Sequence, residues 1–196
     1  MVASTFDRPA DEHLMVAELV IERAKRLVEE GADVVILVDG LTRLARAYDL
    51  AAPPTGRVVG GAVDAAAMHP TKRLLGAARA IEEGGSLTIV ASVLVDTGSR
   101  ADEVVVEELQ GALNLELRLD RRLADLRTFP AIDVVASSTR HEDRLVGDQA
   151  GARRRLRREL AAAADTGGAT GALESLLARL GASAHNDELL AQLDKG

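Results

Sequence analysis

Asp33-Val34-Val35-Ile36-Leu37-Val38-Asp39 is the stretch on which the fold turns, and four of the five residues between its aspartates are β-branched. Gly31 precedes it and Gly40 follows. A continuous apolar run of that length, bounded by glycine, predicts a strand buried on both faces, as in the parallel sheets of α/β proteins. Asp39 then stands at the carboxyl end of the strand, where open parallel sheets place their ligands. In nucleotide-hydrolysing domains an acid at that position organises Mg²⁺. An Asp there also simply caps the turn or helix that follows, and these seven residues leave both readings open.

Working outward, Leu14, Met15, Ala17, Val20, Ile21, Ala24, Leu27 and Val28 recur at helical spacing. They predict an amphipathic helix over about 11–30, stopped by Gly31. Residues 1–5 read as the end of a strand, and Phe6-Asp7-Arg8-Pro9 as a turn with Pro9 just inside the helix. Strand, helix and strand make a βαβ unit. Downstream, a short helix or turn carries Arg43 and Arg46. Residues 52–61 are too rich in Gly and Pro for a regular element and form a long loop whose one basic residue is Arg57. Asp64 caps a helix expected to run to about Glu83 and to stop at Gly84-Gly85. A second buried strand, 87–95, leads into the polar loop 96–102 with Arg100 at its tip. Both loops leave the same edge of a right-handed parallel sheet, so they converge.

The second half is less regular. Residues 114–120 alternate strictly and predict a half-exposed strand near an edge. Residues 121–125 make a helical turn, and Pro130 biases Phe129 toward extended backbone. Thr139 and Glu142 form a capping-box pattern for a helix over about 141–163. The run Arg153-Arg154-Arg155-Leu156-Arg157-Arg158 spreads around that helix as a plain solvated face. Residues 166–171 read as a linker, and two short helices, about 172–180 and 187–193, close the chain.

Composition bounds the rest. The 196 residues suffice for one domain with a small appendage, and 47% are hydrophobic. Aromatics are only Phe6, Tyr48 and Phe129, so the core is aliphatic. The absence of cysteine excludes a disulfide framework, a thiolate metal site and a catalytic thiol, and fits a reducing cytoplasm. No apolar run approaches the roughly 20 residues a bilayer span needs, and no signal-peptide pattern is present, so no membrane role is expected. A net charge of −7 argues against a generic nucleic-acid binder; any such contact must be local. His13, His69, His141 and His185 show no metal-ligand spacing.

Read as a set, VASTFDRPADEH, DVVILVDGLTRLARAY, RVVGGAVDAAAMHPTKR, EEGGSLTIVASVLVDTGSRADEV, GALNLELRLDRRLADLRTFPAID and SSTRHEDRL resemble the Rho family of bacterial transcription termination factors, in order and spacing. The resemblance runs from Val2 to about Leu145 and more loosely beyond. It implies an α/β fold: a partial RecA-like P-loop NTPase core over 1–145, mostly parallel sheet flanked by helices, with a small helical subdomain over 146–196. It implies a hexameric, RNA-dependent ATPase and helicase that uses ATP and Mg²⁺ and acts on the RNA polymerase elongation complex in the cytoplasm.

By position, Asp39 resembles the Mg²⁺-organising acid. Arg57, Val58, Gly60 and Gly61 resemble one RNA-gripping channel loop, and Arg100 the other, where the family more often has Lys. Phe129 resembles the aromatic that stacks on adenine. Arg140 resembles an arginine finger reaching a neighbouring subunit's nucleotide, and Arg127 a second inter-subunit arginine; Arg43 and Arg46 are expected at or near that interface. Departures matter as well. No G-x-x-x-x-G-K-[ST] occurs, and the acid that positions water and the amino-terminal RNA-binding barrel are missing. The expectation is a truncated piece, inactive alone, with a sheet edge exposed. Two alternatives stay open: a non-catalytic RecA-like oligomerisation fragment, and a RecA-like ATPase such as a rotary ATP synthase subunit.

Overall fold

Pro9 opens α1 (Ala10–Glu29), whose buried residues Ile21, Ala24 and Val28 form the stripe expected from the spacing. The structure is a computed structural model that describes residues 1–5 and 7–194, with no side-chain account of Val146, Asp148 or Asp194. Phe6, in the turn expected before α1, lies outside the described residues. The chain forms two units, residues 1–113 and 114–196.

In the first unit, α1 is followed by β1 (Asp33–Val38), α2 (Leu41–Ala51), a small hairpin of β2 (Val58–Val59) and β3 (Val63–Asp64), α3 (Ala65–Leu75), β4 (Ser86–Ala91) and α4 (Arg100–Gln110). β1 and β4 pair in parallel, from Asp33 opposite Ser86 to Val38 opposite Ala91. A parallel pair needs a crossover, which α2 and α3 supply. Val34, Ile36, Val38, Leu87, Ile89 and Ala91 face the helices. There they pack with a core built on Ile21, Leu41, Tyr48, Met68, Val104 and Leu109, and with Ala24 and Val28.

The other face of the pair corrects the sequence reading. Val35, Leu37 and Val90 are 63%, 77% and 56% exposed, so β1 is covered on one face only. Apolar continuity marks a strand that can be covered twice; it does not supply the second layer. Asp39 follows β1 on this open side. We expect the native chain to bind an apolar dye such as ANS, and Val35→Thr, Leu37→Thr and Val90→Thr together to abolish most of that signal without lowering the urea midpoint. Unchanged fluorescence would place the dye elsewhere.

Other boundaries also differ. Residues 1–5 form no strand, and among the described residues β1 and β4 are the whole parallel sheet. The loop 52–61 contains β2, which the Gly and Pro content hid. α3 ends at Leu75 rather than near Glu83, because Gly76 caps it and the chain turns back through a bridge from Ala80 to Ser86. The strand expected over 87–95 stops at Ala91.

In the second unit, β5 (Leu115–Glu116) pairs antiparallel with β6 (Ser138–Thr139), and α5 (Arg121–Asp125) lies between them in sequence. The alternation over 114–120 yields only this pair and a bridge from Leu119 to Ile132, with Leu115, Leu117 and Leu119 exposed. Then come α6 (Asp143–Val146), a 3-10 turn (Gly147–Gln149), α7 (Ala150–Gly181) and α8 (Asn186–Asp194). The helix expected from 141 starts at Ala150, since Thr139 is in β6 and Gly147 takes φ 51°. The expected linker over 166–171 lies inside α7, which is broken only at Gly168 (φ 62°, ψ −160°). Ala152 and Leu156 pack on Leu189, Leu190 and Leu193. The arginine run is not a plain solvated face. Arg153 and Arg157 pair with Glu142, and Arg155 donates to the Leu193 carbonyl at the end of α8. Helical pitch shows where arginines point, not what they meet.

No described helix is long and apolar enough to cross a membrane.

Candidate functional site

Asp39 leaves the end of β1 exposed, and Ser92 Oγ donates to its Oδ1 at 3.0 Å. The two strand exits are bonded together: Ser92 N–H donates to the Val38 carbonyl at 3.0 Å, and Leu41 N–H to the Ser92 carbonyl at 2.8 Å. In the first turn of α2, buried Thr42 accepts the Leu94 N–H on Oγ1 at 2.9 Å. The chain leaving β4 is therefore tied to the start of α2 before it enters the loop 96–100.

That loop is anchored from below. Asp102, in the first turn of α4, is 1% exposed. Arg46 on α2 donates through Nε to Asp102 Oδ1 at 2.8 Å and through its NH2 group to Oδ2, and Thr97 Oγ1 donates to Oδ2 at 2.7 Å. The hydrogen bond from Arg46 holds the Asp102 carboxyl below the usual range, against the opposing effect of burial, and Thr97 adds to the lowering. Arg46, expected at or near a subunit interface, is engaged inside its own chain.

The first loop closes on Asp64. Its carboxylate accepts the Ala66 N–H at 2.9 Å, capping α3, and also the Thr55 N–H at 2.8 Å and Thr55 Oγ1 at 2.7 Å. The Ala66 bond first, then those from Thr55, hold this carboxyl below the usual range. Arg57 and Val58 stay exposed, and Arg57 lines an open cleft of about 670 Å³ with Thr55, Ala65, Ala66, His69 and Pro70. Gly60 (φ 57°) is pressed onto α4: a Cβ there would lie 2.2 Å from Val104 Cγ2. Arg100 Nε donates to the Gly60 carbonyl at 3.3 Å. Thus Arg57, Val58, Gly60, Gly61 and Arg100 belong to one pair of docked loops, as the parallel order predicts.

Phe129, Arg127 and Arg140 belong to the second unit. Phe129 is 61% exposed and follows α5, which Asp120 caps by accepting the Arg122 N–H at 2.6 Å and the Leu123 N–H at 3.3 Å. Arg127 takes φ 59°. Arg140 is exposed, and its N–H donates to the Asn114 carbonyl at 2.8 Å, continuing the β5–β6 pairing.

Ser92, Thr97 and Asp102 were not singled out from sequence. The signal for Asp102 was present: Ser99-x-x-Asp102 is a capping-box spacing that places the acid in the first turn of a helix. Burial of that acid carries no sequence signature of its own. For a metal, no cluster of three His, Asp or Glu side chains occurs among the described residues. One exposed carboxylate beside a hydroxyl nevertheless suits Mg²⁺, which uses one or two carboxylates and keeps several waters.

Comparison with known proteins adds the family. The family model for the ATP synthase alpha/beta family, nucleotide-binding domain, matches residues 1–139. A transcription termination factor Rho from Streptomyces lividans is 56% identical over 196 residues, covering 100% of this chain and 27% of that protein. Its Bacillus subtilis namesake is 60% identical over 146 residues, 74% of this chain and 34% of that one. The chain thus spans about a third or less of the length of these relatives. Among solved structures, a prototypical ATPase from the type III secretion system of pathogenic bacteria superposes with a TM-score of 0.69 at 28% identity, covering 82% of this chain and 46% of that one. The assembled ATPase EscN of enteropathogenic E. coli gives a TM-score of 0.65 at 26% identity over 94% of this chain and 43% of that chain. Matched over most of its length, with the RecA-like α/β fold of those ATPases, the chain belongs to the ATP synthase alpha/beta family, nucleotide-binding domain, and within it resembles the carboxyl-terminal part of transcription termination factor Rho.

Proposed function

We propose that this chain is the carboxyl-terminal portion of a Rho-type motor: an ATP-dependent, RNA-binding helicase that assembles as a homo-hexamer and acts on the RNA polymerase elongation complex to end transcription. The observation that carries this reading is the docking of the two loops through Arg100 and Gly60, joined to Asp39 by the bonded run through Ser92, Leu94 and Asp102. In this reading a Mg²⁺-organising acid and two RNA-gripping loops are tied together by hydrogen bonds. Relatives named Rho, rather than rotary subunits, are the ones at 56% and 60% identity, and this disfavours the rotary reading.

Residues 1–145 carry the motor part in this reading and 146–196 a helical appendage. Asp39 would hold Mg²⁺, which neutralises phosphate charge when bound with ATP. Exposed Phe129 offers a stacking face for adenine. Arg140, with Arg127, would reach a neighbouring subunit's nucleotide. Arg57, Val58, Gly60, Gly61 and Arg100 would line the RNA path, where a few cations repeated around a ring make a local positive funnel despite the net charge of −7.

Fluorescence anisotropy with single-stranded RNA at low ionic strength tests it. The 196-residue chain should bind, and Arg57→Ala with Arg100→Ala should remove binding. Failure of the native chain to bind overturns the reading. In an RNA-stimulated ATPase assay the same chain alone should show no turnover, because its sequence has no phosphate-loop lysine motif. Robust turnover would contradict that assignment of parts.

A further inference from the structure

The guanidinium of Arg100 is divided between two kinds of acceptor. Nε faces the Gly60 carbonyl at 3.3 Å. The NH1 group donates to Glu103 Oε2 at 3.1 Å and lies 3.6 Å from Glu107 Oε1. Arg100, Glu103 and Glu107 follow one stripe of α4 at i, i+3 and i+7, so the two acids are neighbours on the same face. The three side chains are 54%, 49% and 61% exposed, so a phosphate can reach this edge from solvent.

Resting on the RNA-binding reading above, we propose that Glu103 and Glu107 are internal competitors for the phosphate-binding edge of Arg100. They occupy the NH1 side of the guanidinium until an RNA phosphate displaces them, and retake it when the phosphate leaves. The Nε side stays on Gly60 throughout and keeps the two loops joined. Only arginine's planar fork can address both directions at once; a lysine ammonium is a point charge on a flexible stem. Exposed ion pairs are individually weak, so a phosphate wins, but against opposition. A loop that must let go of each phosphate it grips gains a fast release from such a pair.

The experiment measures RNA affinity across salt concentrations for the native chain, for Glu103→Gln with Glu107→Gln, and for both sequences carrying Arg100→Ala. Circular dichroism melts check that every variant is folded. The double glutamine variant should bind about fivefold more tightly, the ceiling set by one exposed ion pair. Its log K against log salt should be steeper by about 0.7, since Arg100 then releases a counterion to the single strand. In the Arg100→Ala background both effects should vanish. Unchanged affinity overturns the proposal. So does an equal gain without Arg100, which would mean a general loss of negative charge. Absence of RNA binding by native and glutamine variant alike overturns the RNA reading itself, and the proposal with it.

Discussion

Arg46→Ala is expected to destabilise the first unit by about 3 kcal/mol, and more than Asp102→Asn, although the two residues form one ion pair. The asymmetry comes from where each partner sits. Asp102 is 1% exposed, whereas the Arg46 side chain is 47% exposed. Removing Arg46 strands a buried carboxylate with only the Thr97 hydroxyl. Removing the charge of Asp102 leaves a guanidinium that returns to water, at a cost of about 1–2 kcal/mol for the lost charged hydrogen bonds. The half-exposed arginine also keeps the Arg46→Ala figure at the low end of what breaking a fully buried pair costs.

The pH dependence follows with a definite sign. In the native chain the folded pKa of Asp102 lies below its unfolded value. The pair's contribution is therefore fully present above the ordinary carboxylate range and is lost as pH falls through the depressed folded value. In Arg46→Ala burial outweighs the remaining Thr97 bond and raises the carboxyl instead. Its penalty is present at neutral pH and shrinks on acidification. Urea unfolding at pH 7 and pH 4 should show the gap between native and Arg46→Ala narrowing. A gap that stays constant, or Asp102→Asn costing as much as Arg46→Ala, would refute this account of the pair.

The parallel strand and the position of Asp39 could be read from sequence because burial leaves a chemical trace: β-branched residues between glycines, then a carboxylate. Convergence of the two loops followed from the handedness of parallel crossovers alone. What could not be read was pairing. Arg100 looked like a lone cation at a loop tip, yet it lies 3.1 Å and 3.6 Å from two glutamates of the next two turns. Arg46 is expected from sequence at or near a subunit interface, and its partner within the chain is 56 positions away. The same limit explains the arginine run of α7, whose acceptors Glu142 and the Leu193 carbonyl lie in other elements. Lengths failed where glycine has two meanings. Gly168 falls in the stretch expected as a linker and is a kink within α7, while Gly84-Gly85, expected to stop a helix, lie some residues beyond the true end of α3.

Gly85→Ala distinguishes those meanings, and it should be among the most damaging single-methyl additions in the chain, costing about 3 kcal/mol or more. A glycine that only ends a helix accepts alanine at about 1 kcal/mol or less. Gly85 does something else: a Cβ there would fall 1.9 Å from the Ala32 carbonyl oxygen, 2.4 Å from its carbon and 2.9 Å from its nitrogen. All three are backbone atoms, so no side-chain rotation relieves the clash. Gly85 is also fixed by its own bonds, donating to the Val28 carbonyl at 2.9 Å and accepting the Ile81 N–H at 3.1 Å. It therefore holds the approach to β4 against the approach to β1, one residue before Ser86 meets Asp33. An added methyl must pry the two strands apart where their register begins. Gly60→Ala is the control. Its clash at 2.2 Å is with a side-chain methyl of Val104 rather than with backbone, and its φ of 57° adds a cost of about 1 kcal/mol. Urea midpoints should rank Gly85→Ala well below Gly60→Ala, and amide exchange across β1 and β4 should quicken only in the former. If Gly85→Ala proves the milder of the two, the close approach of the strand entries is not what sets the sheet's register.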